Sequence, residues 1–248
     1  MLASLTRRCV VLMLIVAAPV TSVRAEECAF EPQGEGHVTE GIDGRSFRLA
    51  DGREIRLAGI EPVAPDAAKA GRAAALSAII DAPDRYGRQS AFVFLAGSDT
   101  PVQSGLLAEG AALFSSEITD KACATSLLAA EAEARQAQKG AWTGSAVIKN
   151  AESTDDILSG IGRFMLVEGK VLSVRQAGAT TYLNFGRRWT RDFAVTISRR
   201  NMPAVESAGM TLKSLENRQI RIRGWVEARP GPRIEVMRAG QIEILSGN

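Results

Sequence analysis

Histidine is nearly absent from this chain of 248 residues, which contains only His37. One imidazole cannot build a histidine-based metal site, and no serine–histidine arrangement for nucleophilic catalysis accompanies it. We therefore interpret His37 as structural. Cysteine is also scarce, with three residues.

The longest apolar run lies at the N-terminus. Arg7 and Arg8 precede the apolar residues 9–20, and residues 23–25 place small side chains at the −3 and −1 positions of a cleavage site. This pattern predicts a cleavable signal peptide over residues 1–25, too short for a comfortable membrane span. We expect a periplasmic or secreted protein with no stable membrane insertion after cleavage; an uncleaved anchor is the alternative.

Signal cleavage changes the cysteine count. Cys9 leaves with the signal, and Cys28 and Cys123 remain in an oxidising compartment. We predict a disulfide that ties the N-terminal tail to a late helix and stabilises the fold by at most roughly 4–5 kcal/mol. Two buried free thiols are the alternative.

The charge of the mature chain is divided unevenly. Without the three arginines of residues 1–25, it has 27 basic and 28 acidic residues. Residues 26–150 hold 12 Lys and Arg against 18 Asp and Glu, whereas residues 151–248 hold 15 against 10. A phosphate-bearing ligand would prefer the second half. Alternatively, the two halves attract only each other.

The clearest local pattern is a β-hairpin. Residues 46–49 and 54–57 alternate apolar and polar side chains around Asp51-Gly52, a strong turn signal. Its apolar face leaves Arg56 on the opposite side.

The rest of the first half alternates helix and strand. We predict an irregular leader over 26–35, helices over 67–80, 102–109 and 119–138, and a strand over 86–95. Trp142 is expected to be a core residue.

The second half is dominated by strand patterns. After a polar linker over residues 145–162, we predict strands over 164–174, 180–185, 192–198, 219–228, 233–237 and 241–245, and a helix over 203–215. Three strands, a helix and further strands are typical of an OB fold. The expected organisation is a first domain over 26–144 and a second over 163–248.

Two segments carry a resemblance to a known family. The stretch 41–61, which ends Arg56-Leu-Ala-Gly-Ile-Glu61, and the later Asp84-Arg-Tyr-Gly-Arg88 resemble the thermonuclease (staphylococcal-nuclease-like) family, and Gly140-Ala-Trp142 matches its usual end. The resemblance spans about residues 34–142. It implies a small OB barrel that cleaves DNA and RNA phosphodiesters with one calcium ion.

The resemblance assigns roles residue by residue. Arg56 and Arg88 match the two arginines that grip the phosphate, and Arg85 and Tyr86 fall where the family contacts substrate phosphate. Ordinary solvated or salt-bridged arginines are the alternative for Arg56 and Arg88.

The metal half of the motif departs from the family. Asp43 and Glu61 occupy ligand positions, but Arg45 stands where the family has an acid, and Ala64 stands at the catalytic glutamate position. Calcium prefers several anionic oxygen ligands, which Arg45 disfavours. The expected outcome is no cofactor, with calcium bound only if Glu61, Asp43 and Asp66 rebuild the site.

We also expect one strand of the family's barrel to be missing, since residues 81–83 alone separate the predicted helix from Asp84. The predicted fold is therefore mainly β with α (α+β), an OB-type barrel of the staphylococcal-nuclease kind lacking one strand, followed by a second OB-like β-barrel domain.

A second basic cluster lies in the later half. Arg187, Arg188, Trp189 and Arg191 lie between two predicted strands, where OB folds bind single strands through aromatic and basic residues. They are candidates for substrate binding. Alternatively, the arginines are ordinary solvated residues.

Three functions remain open from the sequence. The first is a periplasmic protein that binds nucleic acid or another phosphate-bearing polymer with weak or lost hydrolysis. The second is an active calcium-dependent nuclease with Arg56, Arg88 and Glu61 in catalysis. The third is a non-catalytic envelope module with an unidentified protein or polymer partner.

Overall fold

The computed structural model describes residues 28–29, 31–63, 74–78, 83–144 and 147–245. The predicted signal peptide, Ala64, Asp66 and the first part of the predicted helix over 67–80 lie outside these ranges. The described chain is mixed α and β, as predicted, with two large sheets and a further sheet of two strands.

The strands are numbered in chain order. They are β1 Glu31–Gly36, β2 Val38–Asp43, β3 Ser46–Leu49, β4 Glu54–Leu57, β5 Ile60–Pro62, β6 Ala74–Ala78, β7 Arg88–Leu95, β8 Ala112–Phe114, β9 Ile148–Asn150, β10 Phe164–Lys170, β11 Ser173–Ala177, β12 Thr180–Asn184, β13 Ala194–Ser198, β14 Gln219–Ala228, β15 Pro232–Glu235 and β16 Ile242–Ile244. The α-helices are α1 Val102–Ala108, α2 Lys121–Gln136, α3 Thr154–Leu158 and α4 Met202–Glu206, with short 3-10 turns at Gly140–Thr143, Leu212–Leu215 and Ala239–Gln241.

The first sheet contains the strand that we expected to be missing. Its order is β1-β6-β7-β4-β3-β2, and β6 pairs antiparallel with β7 ahead of the Asp84–Arg88 motif. Residues 74–78 were predicted as helix because they are rich in alanine. Helix propensity is a weak preference, and hydrogen bonds to strands on both sides override it here.

The N-terminal leader is also more regular than predicted. Residues 31–36 form β1, which pairs with β6, whereas β2 pairs with β3 at the other edge of the sheet. Only His37 separates β1 from β2. One interrupted strand therefore supplies both edges, which is how an OB barrel uses its first strand.

The second sheet repeats this order. Its path is β11-β12-β13-β15-β14-β10-β9, and β16 also pairs with β14. The predicted strand over 164–174 is interrupted into β10 and β11, which pair with β14 and β12 respectively. Each sheet also contains one parallel pair at the corresponding place: β4 with β7 in the first sheet, and β13 with β15 in the second. Both halves thus have an OB-like strand order, as predicted, but among the described residues neither sheet closes into the predicted barrel.

The segment predicted as a linker carries structure of its own. β9 pairs in parallel with β10 of the second sheet, and α3 follows it. The predicted helix over 203–215 is limited to α4 and a 3-10 turn. The proposed domain boundaries at 144 and 163 stay a prediction.

The predicted disulfide is present. Cys28 is bonded to Cys123, 95 residues later, in the first turn of α2. The side chain of Asp120 caps this helix by accepting a hydrogen bond of 2.8 Å from the Cys123 amide. The bridge therefore fixes the N-terminal tail to the start of α2.

A buried ion pair joins the two halves. Arg223 of β14 donates to Glu131 of α2 at 2.8 Å and to the carbonyl of Phe114 at 2.9 Å. Both charged side chains are 1% exposed. Trp142 packs in an apolar cluster that includes Leu166 of the second sheet. It is therefore a core residue, as predicted. The halves are packed together through charge and apolar burial.

None of the helices in the described ranges is long and apolar enough to span a bilayer.

Candidate functional site

The hairpin orients Arg56 as predicted. Ile55 and Leu57 are buried in the first core, so the intervening Arg56 points from the other face of β4. Its side chain is half-buried. Its Nε atom is buried and has no hydrogen-bond partner among the described residues, which suits an anion.

Arg88 lies on the same face of the sheet as Arg56. The parallel register of β4 and β7 places Arg56 beside Ser90, two residues beyond Arg88. Side chains two residues apart on a strand share a face, so both guanidinium groups project toward the same side. This is the pairing of arginines that the resemblance implies.

A tight turn fixes the start of β7. The carboxylate of Asp84 accepts hydrogen bonds from the amides of Tyr86 at 2.9 Å and Arg88 at 3.0 Å, and from Arg88 Nε at 2.9 Å. Gly87 has a φ of 79°, in the region that favours glycine. Although desolvation opposes the effect, these hydrogen bonds lower the pKa of the Asp84 carboxyl. Arg88 is therefore held in place by its partner.

Tyr86 and Arg85 lie at the tip of this turn. Tyr86 is 65% exposed, and its ring is flanked by the guanidinium groups of Arg85 at 4.8 Å and Arg88 at 5.1 Å. Both side chains are available to a ligand, although neither lines the main cavity described below.

Arg45 points into the predicted metal site rather than away from it. Its Nη1 forms an ion pair with Glu61, and both side chains are less than a tenth exposed. The same Nη1 donates to the carbonyl of Ile60 at 2.9 Å, and the Arg45 amide donates to Asp43 Oδ1 at 2.9 Å. A cation of the chain itself thus lies against the carboxylate expected to bind calcium.

The surroundings of Glu61 disfavour its charge. Burial raises the pKa of Glu61 to about 8, and the negative charges of Glu117 and Asp43 act in the same direction. The positive charge of Arg56 opposes them. The guanidinium of Arg45 favours the ionised form by direct contact. The positive charges of Arg45 and Arg56 therefore act against this shift.

These residues do not fit a calcium ion. Calcium needs six to eight oxygen ligands. Here one candidate carboxylate, Glu61, is engaged by Arg45, and the other, Asp43, accepts a backbone hydrogen bond. No described group of three carboxylates, histidines or cysteines in this region lies close enough to share an ion. Asp66, considered as a replacement ligand, lies outside the described residues.

A cavity of about 920 Å³ lies over this face, and we name it the inter-module cleft. The first half contributes Asp43, Arg45, Arg56, Glu61 and Arg88 to its lining. If β9 is counted with the second half, because it pairs with β10, that half contributes four residues that the sequence analysis missed as site residues: Lys149, Arg163, Phe164 and Trp225. A tryptophan within a predicted strand was one local signal for them.

The second basic cluster lies elsewhere. Arg187, Arg188, Trp189 and Arg191 are exposed in the loop between β12 and β13. Trp189 is 73% exposed. Arg187 and Trp189 line a separate cavity of about 520 Å³ and do not line the inter-module cleft. The structure therefore does not bring this cluster together with Arg56 and Arg88.

Comparison with known proteins matches part of the chain to a family, whereas no curated protein matches the chain. The family model described as staphylococcal nuclease homologue matches residues 66–144, which contain the Asp84–Arg88 motif, α1, α2 and Trp142 but not the hairpin. This confirms the resemblance to the thermonuclease-like family, whose members depend on calcium. The chain thus carries a staphylococcal-nuclease-like domain, and this domain suggests a nucleic-acid-binding protein of the nuclease type.

Proposed function

We propose that this protein binds nucleic acid, or another polymer of phosphodiesters, in the inter-module cleft, and that its calcium-dependent hydrolysis is weak or lost. The observation that carries the proposal is the buried ion pair between Arg45 and Glu61.

Binding is supported by the positive charges of the cleft. Arg56, Lys149 and Arg163 line it, and none of them forms an ion pair with a carboxylate in the described part of the chain. Arg88 adds a fourth cation that is already oriented by Asp84. Phosphate groups neutralise such clusters and release counterions, so we expect binding to weaken as salt increases.

Weak or lost hydrolysis follows from the position of Arg45. Metal-assisted phosphodiester cleavage needs a cation that polarises the phosphoryl oxygen and positions or activates a water molecule. A calcium ion at Glu61 would have to displace a guanidinium that also donates to the Ile60 carbonyl. It would also lie beside a positive charge. Arg45 therefore opposes calcium binding in two ways. Its guanidinium is paired with the Glu61 carboxylate, and its positive charge repels the ion.

A nuclease assay on the mature, oxidised protein tests the proposal. Single-stranded DNA is incubated with calcium or with a chelator, while fluorescence anisotropy measures binding of the same DNA in chelator at several salt concentrations. We expect salt-sensitive binding and the same negligible cleavage in both buffers. Efficient cleavage that requires calcium would contradict the loss of hydrolysis.

The substitution Arg45→Asp provides a matched variant. It places an acid where the family has one and removes the repulsive charge. We expect calcium to raise the Tm of this variant and to leave that of the wild type unchanged. A calcium-dependent rise in the wild type would contradict the proposal.

We also propose that the protein works in the periplasm or is secreted. The N-terminal pattern over residues 1–25 and the disulfide between Cys28 and Cys123 support this location. Peptide mapping of the protein from fractionated cells tests this location. We expect the mature N-terminus at Glu26 in the periplasmic or secreted fraction. Recovery of residues 1–25 in the cytoplasmic fraction would contradict it.

A further inference from the structure

Trp225 is exposed between buried residues of β14. Residues 220–224 and 226 of β14 are buried, whereas Trp225 is 47% exposed and lines the inter-module cleft. Its ring is in edge contact with Phe164 of β10, with centroids 6.1 Å apart and planes at 76°. The edge contact braces the indole, so that Trp225 presents an aromatic surface to the cleft.

A positively charged residue is anchored beside this ring. The amide of Gly162 donates to the carbonyl of Val226 at 2.9 Å, and the amide of Val226 donates to the carbonyl of Arg163 at 3.0 Å. These two bonds attach the turn before β10 to the strand that carries Trp225. Arg163 is exposed and lines the same cleft. Lys149 reaches the cleft from β9, the strand that pairs with β10 on its other side.

The two halves therefore supply complementary parts of one surface. The first half provides Arg56 and Arg88, and the second provides an aromatic face with two further cations. Proteins that bind single strands combine a basic groove along the backbone with aromatic side chains on which bases stack. In a duplex, the base faces are covered by their neighbours and are not available for such stacking.

We propose, on the basis of the function proposed above, that the inter-module cleft takes single-stranded nucleic acid, with a base stacked on Trp225 and phosphates held by Arg163 and Lys149. The nuclease-like half does not complete this site alone, because the stacking residue and two of the cations come from the second half.

Binding of fluorescent oligothymidylate tests the role of Trp225, with an abasic oligomer of the same length and a duplex as further probes. We expect Trp225→Ala to weaken binding of oligothymidylate by about 5- to 100-fold and to leave binding of the abasic oligomer unchanged. Trp225→Phe keeps an aromatic face and should retain most of the affinity. Ile244→Ala removes another half-exposed apolar side chain of the second sheet, outside the cleft, and is the matched control with no expected effect.

Trp225→Leu addresses the case in which the alanine variant fails to fold. Leucine keeps apolar volume against Phe164 but offers no aromatic face, so it should bind like the alanine variant. Arg163→Gln and Lys149→Gln should each lower the slope of log K against log salt by about 0.7, the contribution of one phosphate contact on a single strand.

The outcomes separate this inference from the proposed function. If the wild type binds both oligomers and Trp225→Leu binds oligothymidylate as tightly as the wild type, stacking on Trp225 is wrong and the function stands. Tighter binding of the duplex than of oligothymidylate would also overturn the inference. If the wild type binds none of the three probes at low salt, the proposed function itself fails.

Discussion

Removing the Arg45 charge gives the most informative perturbation. In Arg45→Met, the buried carboxyl of Glu61 loses its direct partner, and Ile60 loses a hydrogen bond to its carbonyl. Breaking a buried ion pair by removing one partner costs about 3–5 kcal/mol in free energy of unfolding. Glu61 can limit this cost by taking up a proton.

The proton uptake makes the cost depend on pH. With Arg45 in place, burial already raises the pKa of Glu61 to about 8, well above its ordinary 4.5. Without the guanidinium we expect this pKa to rise further, because a neighbouring cation favours the ionised form. A carboxyl whose pKa is raised in the folded state binds its proton more tightly than in the unfolded state. The free energy of unfolding of both proteins therefore falls as pH rises from about 4.5, but that of the variant continues to fall above about 8, where that of the wild type levels off. The variant should thus lose up to about 1.36 kcal/mol relative to the wild type for each pH unit above about 8.

Urea unfolding at pH 7, 8 and 9 measures this slope. The double variant Arg45→Met with Glu61→Leu removes both charges and is the control. We expect its stability to depend less on pH than that of the wild type, because it lacks the Glu61 carboxyl, and to equal or exceed that of the wild type, because an apolar pair avoids the desolvation of two ions. If Arg45→Met alone parallels the wild type across this range, the two side chains do not form the buried ion pair on which the loss of calcium binding rests.

Three further perturbations test the described structure. Arg223→Met leaves the carboxylate of Glu131 buried without its partner and should lower the free energy of unfolding in urea by about 3–5 kcal/mol. A decrease below about 1 kcal/mol would contradict a buried ion pair between the two halves. Replacing Cys28 and Cys123 with serine should lower the free energy of unfolding by at most roughly 4–5 kcal/mol, given the long loop that the bridge closes, and an unchanged Tm would contradict the bridge. The Asp84 carboxyl has a pKa below its ordinary 3.8 when folded, so its stabilising effect is present above that pH and is lost as pH falls through the lower value. Asp84→Asn should therefore flatten part of the acid-side loss of stability, and superimposable acid titrations of variant and wild type would argue against this role.

Local sequence patterns were sufficient to predict the part of the site that lies in the first half of the chain. Alternation around Asp51-Gly52 predicted the hairpin and the face on which Arg56 lies, because a strand has a period of two. The Asp84–Arg88 motif and the disulfide were also predicted, since each depends on short spacing or on the compartment.

Hydrogen bonding between strands that are distant in the sequence explains the two segments whose structure was predicted wrongly from local patterns. Residues 74–78 have a helix-forming composition, yet they form β6 because β1 and β7 offer backbone partners on both sides. Residues 31–36 lack apolar alternation and form a strand for the same reason. Backbone hydrogen bonding to distant segments leaves little trace in the sequence of either partner.

The sequence by itself determined the strand-rich, OB-like character of both halves, the position of Arg56 on the polar face of its strand and the presence of Arg45 where the resembled family has an acid. Only the tertiary structure decided that Arg45 turns inward to pair with Glu61, and that Trp225 and Arg163 complete the cleft of Arg56. Strand and turn patterns are set by neighbours a few residues apart, whereas a buried pair and an inter-module cleft depend on how two sheets pack, which no local pattern encodes.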